Sequence, residues 1–143
     1  MVCAVKILVI DAQGGGVGKQ LVAAIKKAFP EDLVTAVGTN SLATSAMLKA
    51  GADRAATGEN AAVVNCRAAD VIGAPIGAVI ADAMLGEITP AMALAAGQSP
   101  AKRILLPIAH CDNIVAGVKE LGMGQLVQEA VERLREIREG CKQ

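Results

Sequence analysis

The sequence predicts an α/β fold, a three-layer, Rossmann-like, doubly wound and mostly parallel sheet, and three observations carry that expectation. Short β-branched apolar runs of the kind buried on both faces of a sheet alternate with amphipathic stretches of helical period. A glycine-rich turn, Gln13 to Lys19, joins the first such run to the first helical stretch. The 143 residues are 53% hydrophobic and 20% charged, enough apolar surface for one globular domain over residues 1–143 without disulfide staples.

Residues 4–10 (AVKILVI) form the first predicted strand, ended by Asp11. From residue 17 to 29 the period changes. Leu21, Ile25, Ala28 and Phe29 fall on one helical stripe, Lys19, Lys26 and Lys27 fall toward water, and Pro30 stops the helix. Residues 33–37 read as a second strand, and Thr39, Asn40 and Ser41 supply N-cap chemistry for a helix to Ala50, with Gly51 as its stop. A short third strand is expected at 52–56 and a turn at 57–60, while 61–69 fits no single pattern. Residues 70–74 give another buried strand, and Pro75 stands where the first turn of a helix tolerates proline.

Residues 76–85 are apolar nearly all round, which implies burial on more than one side, and Gly86 breaks the run. Thr89 and Pro90 open an alanine-rich helix that ends near Gly97. A strand at 103–108 is followed by a short polar link, 110–113, and a second apolar run, 114–118. So short a link suits an antiparallel hairpin, so the sheet is expected to carry an antiparallel C-terminal edge strand. The last helix is the clearest, with Met123, Leu126, Val127, Ala130, Val131, Leu134 and Ile137 on one stripe.

Fourteen basic and fourteen acidic residues give no net charge, and Phe29 is the sole aromatic residue. Nucleic-acid binding is therefore not expected, because it calls for a basic face and, on single strands, aromatic platforms. The four cysteines lie apart without metal-ligand or disulfide spacing and read as reduced thiols. No signal-peptide pattern opens the chain and no apolar run is long enough for a membrane span, so a soluble, cytoplasmic protein without membrane partners is expected.

The turn Gln13-Gly14-Gly15-Gly16-Val17-Gly18-Lys19 presents backbone N–H groups and a helix N-terminus to an anion. In the GxGxxG frame Gly15 would give close backbone approach and Gly18 helix packing, but Gln13 replaces the first glycine. An NAD site also wants an acid after the second strand. Here that position reads Gly38-Thr39-Asn40, neutral groups suited to a 2′-phosphate, as in NADP, or to another nucleotide. Read as a P-loop, the turn again fails at Gln13, and Gln20 stands where a hydroxyl would hold magnesium.

The candidate cofactor-binding residues are thus Asp11, Gln13, Gly14, Gly15, Gly16, Val17, Gly18, Lys19, Thr39, Asn40 and Pro75, gathered beyond the carboxyl ends of the strands. Asp11 could meet a ribose, or simply accept loop N–H bonds. His110, Cys111 and Asp112 follow a strand end but lack the spacing of a metal or nucleophile site, and no metal is assigned. Glu59, Asn60, Asn65 and Glu87 offer polar contacts that turn and cap duty explains equally well.

Several blocks in order, Val9-Ile10-Asp11 with Gln13-Gly14-Gly15-Gly16, Gly38-Thr39-Asn40, Met47-Leu48-Lys49-Ala50-Gly51-Ala52, Thr57-Gly58-Glu59-Asn60 and Met84-Leu85-Gly86-Glu87-Ile88-Thr89-Pro90, resemble a bacterial family, domain of unknown function 3842. The resemblance implies a Rossmann-like domain of this size and carries no activity with it. Three readings stand: a nucleotide- or dinucleotide-binding protein whose cofactor, NADP or another nucleotide, is unidentified; an oligomeric structural or regulatory domain without a ligand; and, third, a P-loop-like NTPase. The alanine-rich stretch 76–96 suggests a homodimer contact.

Overall fold

The computed structural model describes residues 4–108 and 112–141. Among these residues five parallel strands form one sheet: β1 (Lys6–Asp11), β2 (Leu33–Gly38), β3 (Arg54–Thr57), β4 (Val71–Pro75) and β5 (Lys102–Leu106), in the order β3-β2-β1-β4-β5. Central β1 pairs Asp11 with Gly38 on one side and Val9 with Gly73 on the other. Chain direction across the sheet reverses between β1 and β4, which makes their carboxyl ends the switch point of the fold.

Side-chain alternation along β1 divides the core in two. Ile7 and Val9 face α1 (Gly16–Ala28), α2 (Ser41–Lys49) and α5 (Met123–Gly140), whereas Leu8 and Ile10 face α3 (Glu59–Ala68) and α4 (Pro90–Gln98). All four side chains are at most 2% exposed, and burial of each aliphatic group stabilises by about 1.5–3 kcal/mol. The helix signals act as local chemistry dictates. Asn40 caps α2 by accepting the Ala43 N–H at 2.9 Å, and Thr89 caps α4 by accepting the Met92 N–H at 3.2 Å ahead of Pro90.

The unassigned stretch 61–69 lies mostly within α3, with Ala62 and Cys66 turned into the core. Among the described residues the expected antiparallel edge strand is absent, and every strand pair in the sheet is parallel. Residues 112–122 form no strand: Gly117 has φ 81°, which breaks an extended run, and Ile114 is 94% exposed instead of paired. His110 and Cys111 lie outside the described residues.

Nor is the apolar stretch after Pro75 a helix. Pro75 closes β4, a single 3₁₀ turn spans Ile76–Val79, and irregular turns follow to Thr89. Ala78, Ala83, Met84 and Ile88 are nevertheless buried against α3, α4 and the sheet, so much of the surface that suggested a homodimer is covered from within. Cys66 is a buried free thiol and Cys141 is disulfide-bonded, which corrects the expectation of reduced cysteines throughout. No helix among the described residues is long and apolar enough to cross a membrane.

Candidate functional site

Asp11 ends β1 beneath the glycine-rich turn and is 3% exposed. Its carboxylate accepts the Ala12 N–H at 2.8 Å, the Gly18 N–H at 2.6 Å and the N–H of Val17. Burial pushes its carboxyl above the ordinary value, against the pull of these amides. Asp11 therefore holds the start of α1 from inside, and the N–H groups of Val17 and Gly18 point to it.

The glycines of the turn have distinct jobs. Gly15 adopts φ 73°, and a Cβ there would stand 2.9 Å from Ala43 Cα of α2. A Cβ on Gly18 would meet Met47 and Asp11. Both serve packing inside the chain, and the close approach that Gly15 permits within it is to α2. Gly14 and Gly16 differ. Both are exposed, neither has a left-handed φ, and a Cβ on either would meet nothing within 4 Å. Among the described residues their N–H groups have no hydrogen-bond partner.

Beside this turn a carboxylate gathers donors from three segments. Glu87 Oε1 accepts the Gln13 N–H at 2.9 Å, the Thr39 hydroxyl at 2.6 Å and the Asn40 amide at 2.8 Å. Asn40 also donates to the Gln13 carbonyl at 3.0 Å, while the Thr39 N–H donates to the Asp11 carbonyl at 3.1 Å. The bond from Thr39, then the bonds from Gln13 and Asn40, hold the Glu87 carboxyl below its ordinary value despite some desolvation. Glu87 sits on a turn in which Asp82, Met84, Leu85 and Gly86 all have positive φ.

A stability consequence follows from that direction. A carboxyl with a depressed folded value contributes stability that is present above its ordinary 4.5 and lost as pH falls through the folded value. Thermal melts at about pH 3 to 5 should therefore show a shallower acid limb in Glu87→Gln than in the parent. Identical limbs would mean that the three donors do not favour the charged form.

Of the expected site residues, the structure brings Gln13, Gly14, Gly16, Thr39 and Asn40 together at the carboxyl ends of β1 and β2. Pro75 ends β4 at the same edge of the sheet but is buried. Lys19 is exposed on the rim of a groove between α1 and α2, alongside Ala23, Leu42 and Lys49. Gln20 turns its amide back to the Gly16 carbonyl at 3.4 Å. Glu59 lies in the first turn of α3, and Asn65 donates to the Ala61 carbonyl one turn earlier. Among the described residues no three His, Cys, Asp or Glu side chains form a group able to hold a metal.

Glu87 joins this cluster although turn duty explained it equally well in sequence. One signal was available: it is the sole charged residue between Asp82 and Lys102. A lone charge in so apolar a stretch needs a partner, and here the partners lie 48 or more positions away in two of the three bonds.

The profile of the family described as Domain of unknown function (DUF3842) matches residues 6–139. The chain belongs to the DUF3842 family. No curated protein matches this DUF3842 chain. Among solved structures, one similar chain is the dodecameric FMN-dependent Ubix-like decarboxylase from Escherichia coli O157:H7. It is 16% identical with a TM-score of 0.40, over 90% of the DUF3842 chain and 76% of its own. The doubly wound architecture of this DUF3842 chain rests on its own strand order and pairing.

Proposed function

We propose that the chain binds a nucleotide or dinucleotide at the crevice beyond β1 and β2, with a phosphate on the Gly14 and Gly16 N–H groups. One observation carries the reading. These two glycines are exposed, have unpartnered N–H groups among the described residues, and have no conformational or packing reason to lack a side chain. Gly16 is also the first residue of α1, where the helix dipole favours an anion. A phosphate approaching the backbone supplies the missing reason, because a Cβ at either position would stand in its way.

The chain contains neither Trp nor Tyr, so a bound nucleotide would dominate its ultraviolet spectrum. The expected result is a 260 nm band on the purified protein, or thermal stabilisation by ADP or NAD at millimolar concentration. A ligand present at about 100 times its Kd adds about 2.7 kcal/mol. Gly14→Val and Gly16→Val should fold as the parent does and lose that stabilisation. If ADP, NAD and NADP all leave the melting temperature unchanged and no band appears, the reading fails.

A further inference from the structure

We infer that Glu87 reads the sugar of the bound nucleotide, its carboxylate accepting ribose hydroxyls and excluding a 2′-phosphate, so that the site takes nucleotides with a free 2′,3′-diol. The inference rests on the nucleotide reading above and narrows it to a substrate class. It also reverses the preference for a 2′-phosphate that the neutral sequence Gly38-Thr39-Asn40 suggested.

Three features support it. First, the carboxylate is fixed on one side and open on the other. Oε1 takes donors from Gln13, Thr39 and Asn40, more than its two lone pairs hold singly, whereas Oε2 has no hydrogen-bond partner among the described residues. Glu87 is only partly buried, so this free oxygen is available to a hydroxyl donor. Swinging the side chain away would break three charge-assisted bonds, each stronger than a neutral one.

Second, its place is that of a sugar-reading acid. Nucleotide sites in open α/β sheets put a carboxylate at the end of the second strand, against the ribose hydroxyls. In this chain β2 ends in Gly38 and the next residues are neutral, but Glu87 reaches across from the segment after β4 and bonds to Thr39 and Asn40. The acid missing from the local sequence is supplied from the far side of the switch point.

Third, the spacing suits a single nucleotide. Gln13, whose N–H meets Glu87, is one residue from Gly14 and three from Gly16. Steps of 3.8 Å between successive Cα atoms put the phosphate contacts at most roughly 4–11 Å along the chain from Gln13. A diol donates hydrogen bonds to a carboxylate, whereas a phosphate there meets a like charge in a partly desolvated site.

The test is a set of dissociation constants, measured by calorimetry on the full chain for NAD, NADP, ADP and 2′-deoxy-ADP. The expected order is NAD over NADP and ADP over 2′-deoxy-ADP, each by about tenfold or more, the scale of one hydrogen bond to a charged group. Glu87→Gln keeps an acceptor for Gln13, Thr39 and Asn40 but loses the charge. It should weaken NAD and bring the NAD-to-NADP ratio close to one. The comparison of ADP with its deoxy form in the parent protein needs no variant. Equal binding of NAD and NADP by the parent, or tighter NAD binding by Glu87→Gln, overturns the inference and leaves nucleotide binding standing; the second result would make Glu87 a competitor for the ligand. If none of the four nucleotides binds, the reading of the site and the inference fall together.

Discussion

Gly15→Ala lowers folding stability by about 3 kcal/mol, whereas Gly14→Ala and Gly16→Ala stay within about 0.5 kcal/mol of the parent. The contrast arises within three consecutive glycines. A side chain at Gly15 pays twice: the backbone is left-handed at φ 73°, and its Cβ would stand 2.9 Å from Ala43 Cα and 3.2 Å from Ala46 Cβ. Left-handed strain costs about 1–2 kcal/mol, and overpacking adds about 1–3 kcal/mol because α2 must move as a body. At Gly14 and Gly16 neither cost applies. Urea denaturation followed by far-ultraviolet circular dichroism reads all three variants, and equal midpoints would overturn this division of roles. The division also determines which substitution tests the proposed binding, since a variant at Gly15 disturbs α2 in any case.

The other large effect is expected at the opposite end of the sheet. Arg138, on the last helix, donates through Nη1 to both oxygens of Asp32 at 2.7 and 2.8 Å, and through Nη2 to Glu31 at 2.9 Å. The Asp32 side chain is 0% exposed, and the guanidinium lies 4.4 Å from the centroid of Phe29. Arg138→Met leaves that carboxylate buried without its cation and should cost about 3 kcal/mol. Burial already pushes the Asp32 carboxyl above its ordinary value, against the pull of Val5 and Arg138. With Arg138 gone it rises further, so the folded variant binds a proton more tightly than its unfolded chain does. The deficit should therefore shrink as pH falls through that folded value, since protonation removes the uncompensated charge. A deficit below about 1 kcal/mol at neutral pH, or one that grows on acidification, would mean that Asp32 is not the buried anion described.

The parts of the fold that were legible in sequence are those in which local chemistry and tertiary demand agree. The run before Asp11 is buried on both faces and carries no other interpretation, and Asn40, Thr89 and Pro90 cap helices as isolated peptides would. Reading failed where the pattern had no period or where a single backbone angle decided. Residues 76–85 are apolar nearly all round, so helix and packed turn look alike, and nothing in Met84 or Leu85 announces a left-handed backbone. The apolar run at 114–118 lacked only the knowledge that Gly117 turns the chain.

At the candidate site the convergence of Gln13, Thr39 and Asn40 is legible in sequence, whereas their bonds to Glu87 are not. Gln13, Thr39 and Asn40 were legible because strand ends converge in a parallel sheet. Nothing in the sequence ties Glu87 to them, since a contact across 74 positions to Gln13 leaves no periodic trace. Likewise three adjacent glycines are identical in sequence, and only the position of α2 separates the packing role of Gly15 from the open ones of Gly14 and Gly16.

The turn that carries Glu87 is held against its own backbone preference. Asp82, Met84 and Leu85 each hold a left-handed angle that an L-residue disfavours by about 1–2 kcal/mol, so the turn would relax if released. Met84 at 5% exposure and Ile88 at 0% are buried around it, while Leu85 is 96% exposed. The set of that turn, and with it the location of a surface carboxylate, is thus a property of interior packing. Substitutions at Met84 or Ile88 would therefore move the Glu87 carboxylate without altering any group that touches it.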